Sequence, residues 1–178
     1  NLVASPVGSA IAWTFNERGV RNVYVADAPS FEPRRITAYR EDDGQELTQL
    51  SFSRDGATVV YVRGGDHGSN RQAEAPNPAG SPVQPKVQIW SIRVAGGQPR
   101  LIGDGDDPAV APDGNRVAFV RNRQIWLAPI DGSKEPQQAF YARGTSESPV
   151  WSPDGQTLAF TSNRNDHSFI GLFTAEQP

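Results

Sequence analysis

Short apolar runs, each closed by a turn of Gly, Pro and Asp, follow one another along the chain and predict strands rather than helices. Strands are expected near 49–53, 57–63, 86–94, 108–111, 115–121, 123–129, 148–152 and 156–162, with almost no helix. The runs repeat. Phe52-Ser53-Arg54-Asp55-Gly56-Ala57-Thr58-Val59-Val60-Tyr61 superposes on Val110-Ala111-Pro112-Asp113-Gly114-Asn115-Arg116-Val117-Ala118-Phe119 and on Trp151-Ser152-Pro153-Asp154-Gly155-Gln156-Thr157-Leu158-Ala159-Phe160. A weaker first copy, Ser5-Pro6-Val7-Gly8-Ser9-Ala10-Ile11-Ala12-Trp13, has Val7 where the others carry Asp. Pro presets φ, Asp bonds its own backbone and Gly supplies the positive φ, so each copy is a hairpin turn leading into an apolar strand.

An aliphatic-aromatic pair follows each turn: Val23-Tyr24, Ile89-Trp90, Ile125-Trp126 and, less clearly, Leu172-Phe173. It predicts a third strand. After a further turn comes a short fourth strand, as at Arg35-Ile36-Thr37, Arg100-Leu101-Ile102 and Gln138-Ala139-Phe140. Each unit is then a four-stranded meander, with strands a to d. The turn glycines Gly8, Gly56, Gly114 and Gly155 are 48, 58 and 41 residues apart, and the last spacing is the bare length of a propeller blade. The longer second spacing comes from an insertion between strands b and c, Gly64 to Pro85, read as a long surface loop. The fold class expected is all-β, a partial β-propeller of about four blades, at 1–47, 48–104, 105–144 and 145–178, in a single domain. A β-sandwich also has many short strands, but it does not explain matching turns at near-blade period. The fourth blade reads as lacking strand d, and the first opens on a short strand a, Leu2-Val3-Ala4.

Composition agrees: 37% hydrophobic and 21% charged residues with 17 Gly and 15 Pro suit short strands and tight turns. The net charge of −3 and the scattered basic residues give no footprint for nucleic acid or an anionic membrane surface. No stretch approaches the roughly 18 apolar residues of a bilayer span, and the first residues do not read as a signal peptide. The start at Asn1 and the absence of Met are expected of a processed protein or an excised segment. With no Cys there is no disulfide framework, thiolate metal site or cysteine nucleophile.

The Ser-Pro-Asp-Gly turn, aromatic strand and Gly-rich turn resemble TolB propeller repeats. They are also similar to those in the N-terminal domains of prolyl oligopeptidase and dipeptidyl peptidase IV-like serine peptidases. Arg21-Asn22-Val23-Tyr24, Asp42-Asp43-Gly44-Gln45-Glu46, Tyr61-Val62-Arg63-Gly64-Gly65-Asp66 and Ser162-Asn163-Arg164-Asn165-Asp166-His167-Ser168-Phe169-Ile170-Gly171 extend the resemblance to the peptidases over nearly the whole chain. It implies a C-terminal α/β-hydrolase domain as partner, a peptide substrate, and a periplasmic or secreted location.

The chain itself offers no catalytic residues. No Gly-x-Ser-x-Gly elbow occurs, and His67 and His167 lie in polar loops without the setting of a Ser-His-Asp relay. Asp104-Gly105-Asp106-Asp107 lacks the spacing of a calcium loop and reads as a solvated inter-blade turn. Trp13, Trp90, Trp126 and Trp151 read as inter-blade packing. No metal site and no cofactor are expected. One constellation remains as a candidate substrate- or partner-facing rim. The b–c loops share a face with the d–a connections, which groups Arg63, Asp66 and His67 with Arg164, Asp166 and His167. The function expected is a non-catalytic propeller that gates and positions peptides for a hydrolase domain. The alternatives are a TolB-like protein-binding scaffold and a small propeller enzyme with a channel metal. The open end blades further imply a possible homodimer.

Overall fold

Among the described residues every strand pairs antiparallel with a sequence neighbour in its own sheet, giving four meander sheets in chain order. The structure is a computed structural model that describes residues 1–65 and 82–174. Blade 1 holds β1 (Leu2–Ala4), β2 (Ile11–Glu17), β3 (Val20–Ala26) and β4 (Arg34–Arg35); blade 2 holds β5 (Leu47–Phe52), β6 (Thr58–Arg63), β7 (Gln88–Arg93) and β8 (Arg100–Asp104). Blade 3 holds β9 (Asp106–Val110), β10 (Arg116–Arg121), β11 (Gln124–Pro129) and β12 (Gln137–Gln138); blade 4 holds β13 (Thr145–Trp151), β14 (Thr157–Asn163) and β15 (Ser168–Thr174). The chain is thus an all-β partial propeller, and no helix long and apolar enough to cross a membrane occurs among the described residues. The first strands of successive blades contact one another, which places them on the inner side of the arc.

The repeated turn works as its sequence predicts. Gly56 N–H donates to Ser53 O and Thr58 N–H to Ser53 Oγ, while Asp55 accepts from the Ala57 N–H and from the Ser53 hydroxyl at 2.5 Å. Ser152 and Asp154 repeat the set. In the third copy Ala111 replaces the serine, and Asp113 pairs instead with Arg116 at 2.8 Å.

Burial concentrates in three cores, one between each pair of successive sheets. Tyr61 of blade 2 packs with Ala12, Val23 and Val25 of blade 1. Phe119 of blade 3 packs with Val60, Val62 and Ile89 of blade 2, and Phe160 of blade 4 with Ala118 and Ile125 of blade 3. These three aromatics occupy the same place on strand b, directly opposite a strand-c residue: Trp90, Trp126 and Gly171 respectively. Register therefore corrects one expected correspondence. Ile170-Gly171, not Leu172-Phe173, stands where the other blades carry their aliphatic-aromatic pair. The reason is steric: a Cβ on Gly171 would lie 2.2 Å from the Phe160 ring, which Phe140 also contacts at 4.7 Å.

Fourth strands are shorter than expected in blades 1 and 3 because side chains take over their pairing. Buried Asn22 accepts from Tyr39 N–H and the Thr37 hydroxyl and donates to Tyr39 O. Gln124 does the same for the backbone at Ala142 and Gly144. Both amides immediately precede the aliphatic-aromatic pair, as does Gln88 in blade 2.

Candidate functional site

In a sequential antiparallel meander the a–b and c–d turns lie on one edge of the arc, and the b–c loops and d–a connections on the other. The candidate rim is this second edge. Asp66 and His67 fall outside the described residues. Arg63 ends β6 half-buried: it forms an ion pair with Asp43 and lies over the Tyr39 ring, 4.8 Å from its centre. Tyr39 shares a 2.8 Å hydroxyl–hydroxyl hydrogen bond with fully buried Tyr61. Burial pushes both phenols above their ordinary value, Tyr61 by more.

Arg164, Asp166 and His167 form the tight b–c turn of blade 4, where Arg164 N–H donates to His167 O at 2.9 Å. His167 Nδ1 lies 2.5 Å from Asp166 Oδ1, the Phe169 ring stands edge-on to the imidazole at 4.8 Å, and Arg164 lies over that same ring at 5.1 Å. All four side chains are exposed. Phe169, rather than a hydroxyl nucleophile, covers the histidine, so the group presents one cation, one imidazole–carboxylate pair and one aromatic face. Blade 3 separates this group from Arg63, so the described candidates stand at two separate places on the edge.

The inner side of the same edge holds residues that sequence reasoning passed over. Strand a of blades 2, 3 and 4 carries a bulge, with Gln49, Asp107 and Ser148 at φ of 51°, 54° and 52°. A left-handed backbone at a non-glycine residue costs about 1–2 kcal/mol, and here it recurs at the same place in three blades. Asp107 Oδ2 accepts the Ser148 N–H at 2.7 Å, joining blades 3 and 4, and the Trp151 indole adds a bond to Ala109 O at 3.1 Å.

Asp104-Gly105-Asp106-Asp107 is the inter-blade link, half-exposed, with its aspartates at the end of β8 and the start of β9. Only Gly105 separates β8 from β9, and a Cβ there would lie 2.6 Å from the Phe119 ring. Asp104 binds Lys86 at 2.6 Å and Gln88 at 2.9 Å; burial opposes its ionisation, but these bonds and the Lys86 charge hold its carboxyl below the ordinary value. Among the described residues no group of three or more His, Asp or Glu side chains is placed to hold a metal ion.

Residues 2–145 match the family model Gmad1, lipoprotein LpqB beta-propeller domain. No curated protein sequence matches the chain. Among solved structures, TolB from Acinetobacter baumannii superposes with a TM-score of 0.61 and 16% identity, covering 98% of this chain and 41% of its own. A puromycin-hydrolyzing peptidase of Mycobacterium tuberculosis gives 0.66 and 16%, over 99% of this chain and 29% of the peptidase. Hydrazine synthase of Kuenenia stuttgartiensis gives 0.63 and 15%, over 98% and 58%. At these identities the likeness is one of fold, and the chain spans about two fifths of the TolB it matches.

Proposed function

Since the chain belongs to the lipoprotein LpqB β-propeller domain family, we propose that it is a non-catalytic propeller whose loop-bearing edge gates and positions peptides for a serine hydrolase domain of the prolyl oligopeptidase or dipeptidyl peptidase IV type. The observation that carries this reading is the blade 4 station. An exposed cation and an imidazole–carboxylate pair on one tight turn, with an aromatic face at the start of the strand that follows it, suit a peptide's carboxylate, amide and apolar side chains. The overlay of this chain on 29% of a peptidase supports the same reading. Location in the cell envelope or periplasm accords with the lipoprotein and TolB names of the family and of one fold neighbour.

A TolB-like scaffold that binds a folded protein is the second reading, and the TolB overlay favours it to the same degree. Calorimetric titration with short proline-containing peptides separates the two. Peptide binding that Arg164→Ala and Asp166→Asn weaken, without cleavage by the chain alone, is expected. Hydrolysis by this chain, or no peptide binding at millimolar concentration, rejects the gating role.

A further inference from the structure

The edge formed by the a–b and c–d turns, opposite the loop-bearing one, carries a groove of about 420 Å³ between blades 2 and 3. That is the low end of small-ligand sites. The c–d turn of blade 2 forms one side. Gly96 and Gly97 have φ of 91° and 124°, and a Cβ on either would meet nothing within 4 Å, so this turn stands clear of its surroundings. The c–d turn of blade 3 forms the other side and leans onto β8: a Cβ on Gly132 would lie 2.6 Å from Leu101 O, and Asp131 O accepts from Arg100 at 3.4 Å. The space between the two turns is left open.

Four charged side chains line it: Arg93, Arg100, Asp55 and Asp131. The Ser53 hydroxyl and the Ala57 N–H, with a smaller contribution from Arg93, hold the Asp55 carboxyl below its ordinary value; the Ser133 hydroxyl and N–H, with a smaller contribution from Arg100, do the same for Asp131. Both carboxylates are therefore ionised near neutral pH, and each is bonded to its own turn. Among the described residues the Arg93 guanidinium makes no hydrogen bond or contact ion pair, and that of Arg100 makes the long bond to Asp131 O alone. Ser91 lines the buried part of the groove, 3% exposed, directly opposite Arg100 in the β7–β8 pair. Its hydroxyl has no hydrogen-bond partner among the described residues. Buried hydroxyls are ordinarily paired, so this one calls for a partner from outside the chain.

We infer that the groove binds a small zwitterion, a free amino acid or dipeptide, with its carboxylate on Arg93 and Arg100 and its ammonium group on Asp55 and Asp131. Two cations and two carboxylates balance, so a simple anion or cation gains little net attraction, whereas a ligand carrying both charges meets a partner for each. Arginine offers a carboxylate two parallel N–H donors, and the Ser91 hydroxyl adds a third beside Arg100. The inference stands independently of what the loop-bearing edge binds.

Titration of the isotope-labelled chain with L-alanyl-L-alanine, followed by NMR, is expected to give saturable shifts of the Gly97 and Asn115 amides. N-acetyl-alanyl-alanine and alanyl-alanine amide, each lacking one charge, should bind at least about tenfold more weakly. Arg93→Ala and Arg100→Ala, both at exposed positions, should weaken binding by a similar factor with unchanged far-UV circular dichroism. Arg164→Ala, on the opposite edge, should leave it unchanged. No saturable shift at millimolar concentration, equal binding of either blocked form, binding that survives both groove variants, or loss of the shifts in Arg164→Ala overturns the inference.

Discussion

Asp107 and Ser148 hold the same place in two successive blades, and the carboxylate of the first accepts the backbone N–H of the second at 2.7 Å. Both sit on bulges with positive φ, so the bond ties together two strained points on the inner side of the arc. A charge-assisted bond of this kind contributes about 1.5–3 kcal/mol. Asp107→Asn should therefore lower the urea midpoint, and Asp107→Ala should lower it further without changing the slope.

Gly171 should tolerate no side chain. With Phe160 and Phe140 filling the space, Gly171→Ala forces the rings aside and is expected to cost about 1–3 kcal/mol. Thermal unfolding of Gly171→Ala beside Gly96→Ala separates the two origins, because Gly171 lies outside the left-handed region and its cost is steric, whereas Gly96 has a φ of 91° and open space around it.

Asn22→Ala removes the partner of Tyr39 N–H and of the Thr37 hydroxyl at a buried site. Leaving such groups unpaired costs about 1–3 kcal/mol each. Hydrogen exchange should speed at Tyr39 and its neighbours before it changes in blade 3, where Gln124 makes the equivalent clamp.

Acidification should weaken the turns through Asp55. The Ser53 hydroxyl first, then the Ala57 N–H, hold its carboxyl below the ordinary value. A depressed folded value means that the stabilisation is complete above the unfolded value, about 3.9, and is lost as pH falls through the lower folded one. Ser53→Ala should flatten the pH dependence of the unfolding free energy in that window. Ala111 is the natural version of that change.

The propeller was legible because its turn chemistry is local: Ser-Pro-Asp-Gly dictates a hairpin wherever it stands, and the spacing of its glycines marks the blades. Strands d were less legible, since the buried amides of Asn22 and Gln124 bond the backbone in place of a ladder. Those amides had a readable signal, a fixed position directly before each aliphatic-aromatic pair in blades 1 to 3. Blade 4 hid its register because Phe169 and Gly171 replace the amide and the aromatic at once. The bulges left no trace, for Gln49, Asp107 and Ser148 share no chemistry and are unified only by backbone conformation. Of the rim, Arg63 showed as a charge but not as the partner of Asp43 and Tyr39, which lie far from it in sequence.

Among the described residues, blades 2 and 3 are each covered by a neighbouring sheet on both sides and blades 1 and 4 on one. In an arc held by nearest-neighbour contacts, stability is the sum of each unit and the interfaces it shares. Within residues 1–178, blades 2 and 3 therefore carry two interfaces each, and blades 1 and 4 one. In residues 1–178 taken alone, opening should begin in blades 1 and 4, with blades 2 and 3 the last to open and the first to consolidate during refolding.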